Sequence, residues 1–162
     1  MLYFALPFFG GRHPLPRLVD STQHHTRSLS ELYKRTAGPE CDCPAVMIIH
    51  SGELVFGAYL SHRIRDNSLG CGSPSCFLFS VTLDKKMPYH GKNLRPGSGT
   101  GAVPFAFTAS ENKFEFGNKD LCLLNAGATM STGSSDLEGC FGLGLARGSR
   151  EATCFLAGQQ QF

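Results

Sequence analysis

Residues 44–61 read Pro44-Ala45-Val46-Met47-Ile48-Ile49-His50-Ser51-Gly52-Glu53-Leu54-Val55-Phe56-Gly57-Ala58-Tyr59-Leu60-Ser61. Two β-rich runs, Ala45–His50 and Leu54–Ser61, flank the turn residues Ser51-Gly52-Glu53, which is the spacing of a β-hairpin. The two-residue period returns downstream. Phe77, Phe79 and Val81 alternate with Leu78 and Ser80, Phe105 and Phe107 repeat the pattern, and Phe114 and Phe116 follow at spacing two. Leu121-Cys122-Leu123-Leu124 is a further apolar run, and Phe141, Leu143 and Leu145 alternate with Gly142 and Gly144. Bare glycines on one face of such a strand let a second layer approach its backbone closely. At least six short strands separated by turn residues predict a mainly β (α+β) fold, an antiparallel two-sheet β-sandwich with one or two flanking short helices.

Outside the strands, one helix is well signalled. Ser28 followed by Glu31 forms a capping box, Leu29, Leu32 and Tyr33 form an apolar stripe, and Lys34 and Arg35 suit the C-terminal end before Gly38-Pro39 stops the helix. The first 20 residues contain Pro7, Gly10, Gly11, Pro14 and Pro16, which predict an extended N-terminal arm packing on the body. The apolar start Met1–Phe9 lacks a preceding basic residue and a small-x-small site and is broken by Pro7, so it does not read as a secretion signal. Lys92–Val103 and Ala126–Glu138 are Gly/Ser/Thr-rich without apolar period and read as long surface loops. No repeat and no linker divides the chain, so residues 1–162 are expected to form a single domain.

Composition narrows the function classes. In 162 residues, 41% are hydrophobic and 17% charged, with 13 Phe and 19 Gly; this is too apolar for a disordered chain and too Gly-rich for a helical bundle. The formal charge of +2 argues against a nucleic-acid or membrane-surface protein. The apolar run Ala45–Ile49 falls far short of the roughly 20 residues that cross a bilayer, so no direct membrane insertion is expected. The cysteines, Cys41, Cys43, Cys71, Cys76, Cys122, Cys140 and Cys154, are odd in number, and no Asn-x-Ser/Thr sequon accompanies them. Reduced thiols in the cytoplasm are therefore expected.

The chemical motifs are weak. Gly97-Ser98-Gly99-Thr100-Gly101 lacks the Lys-Ser/Thr of a phosphate loop, and Gly139-Cys140-Phe141-Gly142-Leu143-Gly144 has the glycine density of a dinucleotide fingerprint without its spacing. Cys41-x-Cys43, Cys71-x4-Cys76 and His24-His25 do not have the spacing of a zinc knuckle. Cys76, Cys122, Cys140 and Cys154 lie within or beside strand-like runs, where a free cysteine serves as a small hydrophobe. No Gly-x-Ser-x-Gly elbow occurs, and no carboxylate pair is singled out by spacing. Lys85, Lys86, Lys92 and Arg95, offset by Asp84 and near Tyr89 and His90, read as a solvated sheet edge guarded by lysines or as a surface for an acidic partner. No catalytic residue, cofactor or metal is expected.

The order of these pieces resembles the TLDc domain family. Ser28-Leu29-Ser30-Glu31-Leu32-Tyr33-Lys34-Arg35 is similar to the family's "SLxxLYR" helix, Pro44–Ile49 to its "PxLLVI" strand, and Gly52–Ser61 to its "GxVFGAYxS". Phe77-Leu78-Phe79-Ser80 resembles "FLFS", Phe116–Leu121 the "GdxdSL" segment, Phe141–Leu145 "FGLWL", and Gly148-Ser149 with Cys154-Phe155 the closing "GSSSxCxTF". His13-Pro14 fits the arm that precedes the family's first strand. Departures accompany the likeness: Gly72-Ser73-Pro74-Ser75-Cys76 stands where the family has Gly-x-Gly-Glu, Met87–Gly91 replaces a tryptophan-bearing strand, and the chain has no Trp. The resemblance implies a divergent stand-alone β-sandwich without established catalytic chemistry. It also implies a link to oxidative-stress protection and to subunits of the vacuolar-type proton ATPase (V-ATPase) as protein partners. The candidate binding residues it implies are Gly117, Asp120, Gly148, Ser149 and Cys154. A structural part in a large cytoskeletal or ciliary assembly is the alternative, and a thiol-based redox protein a second one.

Overall fold

A computed structural model describes residues 2–5, 18–20, 29–36, 44–62, 64, 67–90, 106–110, 112–117, 119–126, 129–135, 137, 140–141, 145, 148–156 and 158. The described strands form two antiparallel sheets that pack as a β-sandwich. The first contains β1 (Leu2–Ala5), β2 (Leu18–Asp20), β3 (Ala45–Ser51), β4 (Leu54–Leu60), β6 (Phe77–Ser80) and β7 (Lys85–Pro88), in the order β2-β1-β3-β4-β6-β7. The second contains β5 (Asn67–Cys71), β8 (Phe107–Ser110), β9 (Lys113–Phe116), β10 (Leu121–Ala126) and β11 (Thr129–Ser135), in the order β11-β10-β9-β8-β5. The two described helices, α1 (Leu29–Arg35) and α2 (Arg150–Cys154), are short.

The hairpin expected at residues 45–61 is present as β3 and β4, with Ala45 opposite Leu60 and Ser51 opposite Leu54. Alternation sorts its side chains: Ala45, Met47, Ile49, Phe56, Ala58 and Leu60 are buried, and Val46, Ile48 and Tyr59 are half-buried on the opposite side. Gly57 is fixed by close approach, because a side-chain carbon there would overlap the Met47 carbonyl of β3. From the second sheet Phe107, Phe114 and Phe116 enter the same core, with ring centroids 5.2–5.8 Å apart. Each buried phenylalanine stabilises the fold by roughly 1.5–3 kcal/mol relative to exposure.

Both helices join this core through apolar faces. Leu29, Leu32 and Tyr33 of α1 are buried, and the Tyr33 hydroxyl donates to the Ser110 carbonyl at 3.0 Å. Ala152 and Leu156 anchor the α2 segment, where the buried Ser80 hydroxyl donates to the Leu156 carbonyl at 2.8 Å. At the same end of the first sheet, the β6–β7 turn is stapled to the β3–β4 turn: Val55 N donates to Thr82 Oγ1 at 2.8 Å, and Val81 N donates to Val55 O at 2.8 Å.

Several expectations need correction. The run expected to include Val81 ends at Ser80 as β6, where Leu78 and Ser80 are buried and Phe77 and Phe79 half-buried on the outside, and Val81 is exposed in the turn. The strand is apolar on both faces, so alternation alone could not choose between them. The segment Ala126–Glu138, expected as a loop, contains β11. An edge strand hydrogen-bonds a single neighbour and needs no apolar face, so Thr129–Ser135 pairs with β10 without hydrophobic alternation. Phe141 makes an isolated bridge to Tyr89, and the rest of the strand expected over Phe141–Leu145 lies, apart from Leu145, outside the described residues. β5, with only Leu69 and Cys71 at spacing two, has no counterpart among the strand-like runs of the sequence. Lys85 and Lys86 do lie on an edge strand, β7. Within the N-terminal arm, β1 pairs with both β2 and β3. Phe105, Cys41, Cys43, His24, His25, the cap residue Ser28 and the Lys92–Val103 stretch lie outside the described residues.

Candidate functional site

The five candidate residues fall at two turns, and each turn has a local physical logic. Gly117 follows β9 at φ +59°, a left-handed conformation, and donates its N–H to Ala106 O at 2.8 Å. A side-chain carbon at this position would overlap the carboxylate of Asp120. Glycine is required on both counts. Asp120 closes the turn into β10, its N–H donating to Phe116 O at 3.0 Å.

Asp120 is completely buried. Its Oδ2 accepts from Cys140 N at 2.6 Å and from Phe141 N at 3.0 Å. A carboxylate removed from water is tolerated when strong donors replace its hydration, and two successive backbone N–H groups supply them here. The bond pair ties the β9–β10 turn to residues 140 and 141. That segment in turn reaches the first sheet: His90 N donates to Cys140 O at 3.0 Å, Phe141 bridges Tyr89, and the Tyr89 and Phe141 rings lie 5.3 Å apart. Asp120 is thus a clamp between the sheets, closed to a solvent-borne ligand.

The second turn precedes α2. Gly148 is exposed at φ +68°, and Ser149 caps the helix, its Oγ accepting from Ala152 N at 3.1 Å while its carbonyl accepts from Thr153 N at 3.0 Å. Cys154, half-buried, places its sulfur 3.7 Å from Thr153 Oγ1. The Gly-Ser pair therefore starts a helix, and Cys154 ends it. Gly117 and Asp120 share the first turn, and Gly148, Ser149 and Cys154 share the second.

Sequence reasoning missed a hydroxyl-centred cluster at the end of β4. Ser61 Oγ lies 2.8 Å from His62 Nδ1 and 3.2 Å from Cys76 Sγ, and it accepts from Ser73 N at 2.8 Å. Ser61 N also donates to Cys76 Sγ at 3.3 Å. The imidazole is exposed but the sulfur is buried, so the cluster orders the turn and offers no accessible thiol nucleophile. Its only signal in the sequence was the Ser61-His62 adjacency.

The titratable groups follow their surroundings. Burial, with Cys140 and Cys76 adding to it, pushes the Tyr89 phenol from 10.0 up to about 12. Burial and then Glu115 push the Cys122 thiol up, while a hydrogen bond to Glu115, 2.7 Å away, raises the Lys113 ammonium. Of the five described cysteines, Cys76, Cys122 and Cys140 are buried and Cys71 and Cys154 half-buried. Among the described residues no three His, Cys, Asp or Glu side chains converge as a metal site, and no helix is long and apolar enough to cross a membrane.

No curated protein matches the sequence. The model of the TLDc domain family matches residues 1–162, in agreement with the sandwich and with the ordered motifs that run from α1 to the Ser149 cap, and the chain belongs to the TLDc domain family.

Proposed function

We propose that this TLDc domain is a non-enzymatic protein-binding module that acts in the cytoplasm, with the V-ATPase as the larger complex it binds and oxidative-stress protection as its setting. The observation that carries the reading is membership of the family over the whole chain, since the TLDc resemblance implies V-ATPase binding and no established chemistry. The commitment of the motif residues to the frame supports it: Asp120 is satisfied by backbone N–H groups and Ser149 by its helix. Burial of Cys76, Cys122 and Cys140 weighs against a thiol-based redox role, because reactive cysteines need access.

The test is affinity purification of the tagged full chain at moderate salt, with mass spectrometry of what is retained. Enrichment of V-ATPase subunits over an unrelated β-sandwich control is the expected result. Enrichment of none of them overturns the partner, and retention of cytoskeletal or ciliary proteins alone would make the domain a structural part.

A further inference from the structure

Away from the core, the first sheet presents a row of rings. Tyr59 of β4 and Phe77 of β6 are directly opposed in the ladder and stack with centroids 5.1 Å apart and planes at 13°. Phe79 extends the row at 6.1 Å from Phe77, and Val46 and Ile48 of β3 flank it through their cross-strand partners Tyr59 and Gly57. All five side chains are half-buried, although their neighbours in sequence face a fully buried core. Over this row Lys86 places its Nζ 4.0 Å from the centre of the Phe77 ring. Lys85 points to the other side, over Phe155 at 4.6 Å. Among the described residues no carboxylate pairs with Lys86, whereas Lys113 on the second sheet has Glu115.

We propose that this face, centred on Tyr59, Phe77 and Phe79 beside Lys86, is the docking surface for a protein segment that carries a carboxylate next to aliphatic side chains. The assignment rests on the protein-binding reading above and adds to it the surface and the chemistry of what binds. Charge complementarity selects the partner's carboxylate. A lysine held by an aromatic face keeps its full charge and its donors, so an incoming carboxylate gains a charge-assisted hydrogen bond without breaking an existing ion pair. The rings select aliphatic groups: they are stacked on one another and present apolar area at little further entropic cost, as interface anchors do. A single-stranded nucleic acid would also stack on rings, but it needs cations along its backbone. On the described strands of this face Lys86 stands alone, and the net charge of the chain is +2.

The test measures binding of the full chain, by fluorescence anisotropy, to a labelled peptide of alternating glutamate and leucine, to its lysine-leucine counterpart and to oligo-dT. The expected result is binding of the glutamate-leucine peptide, weakened at least about tenfold by Lys86→Glu and by Phe77→Ala and unchanged by Leu124→Ser on the other sheet. Lys86 is exposed, so Lys86→Glu keeps the test decisive if Phe77→Ala disturbs folding. Failure of the glutamate-leucine peptide to bind, binding indifferent to Lys86→Glu, or preference for oligo-dT overturns the proposal. The two readings fail separately. If Lys86→Glu retains V-ATPase subunits as well as the natural chain does, this surface is wrong and the partner stands. If the peptide binds as expected and no such subunit is recovered, the surface stands and the partner is wrong.

Discussion

The outer sides of the two sheets can be compared rung by rung. Across the six-stranded sheet one rung reads Val46, Tyr59, Phe77, Pro88; across the five-stranded sheet one reads Thr108, Glu115, Cys122, Ser134. The first is apolar and ends beside a lysine whose charge no described carboxylate meets. The second is polar, and its carboxylate is met by Lys113 at 2.7 Å. The charge on the five-stranded rung is thus met within the chain, whereas the lysine beside the six-stranded rung is, in the proposal above, met by a partner. The five-stranded face is expected to bear substitutions with small losses of stability, and the six-stranded face with losses of binding.

The largest effect is expected where both sheets depend on one group. Asp120→Ala leaves the N–H groups of Cys140 and Phe141 buried without an acceptor, and a loss of about 3 kcal/mol in urea unfolding is expected. Equal destabilisation by a substitution confined to one outer face would remove the distinction between frame and faces. Next comes Phe77→Ala. Because the ring is half-buried and stacked on Tyr59, a loss of roughly 1–2 kcal/mol is expected, less than for a core phenylalanine such as Phe114. Breaking the polar rung costs least: Lys113→Met should lower stability by about 1 kcal/mol, since the lysine is half-exposed although its partner Glu115 is buried.

The alkaline limb sharpens the contrast further. Tyr89 binds its proton up to about pH 12 in the folded chain but only to 10.0 when unfolded. Its contribution is complete below pH 10 and declines as pH rises toward 12. Cys122 is raised as well, so its contribution has the same sign and is lost as pH passes its ordinary value of 9.0. Thermal unfolding from pH 8 to 11 should show a falling Tm, and Tyr89→Phe should flatten the upper part of that fall with little change at neutral pH.

The hairpin of β3 and β4 was legible because one of its faces is strictly apolar and its turn contains glycine. The helix α1 was legible for the analogous reason at a period of 3.6. Where burial is two-sided or absent the signal fails. Phe77-Leu78-Phe79 is apolar throughout, so alternation does not tell which side of β6 is buried, and β11 reads as a loop because an edge strand rich in Ser, Thr and Gly pairs without an apolar period. The family motifs pointed to Asp120 and Ser149, but their spacing carried no information about role. That information lies in the N–H groups of Cys140 and Phe141, twenty and twenty-one residues from Asp120 in sequence. The Lys86–Phe77 contact was out of reach for a similar reason, since it depends on cross-strand register that no local pattern encodes.

The Asp120 clamp also governs how the molecule breathes. Among the described residues Phe141 makes an isolated bridge, to Tyr89 just beyond β7, and amides outside a continuous ladder ordinarily exchange their protons with solvent by brief local opening. Here the two amides are held by a buried carboxylate at the β9–β10 turn, so they are released only when that turn opens as well. Their deuterium uptake should therefore follow the slow rhythm of the sheet centre, and the clamp makes this short segment a reporter of cooperative opening in the sandwich as a whole.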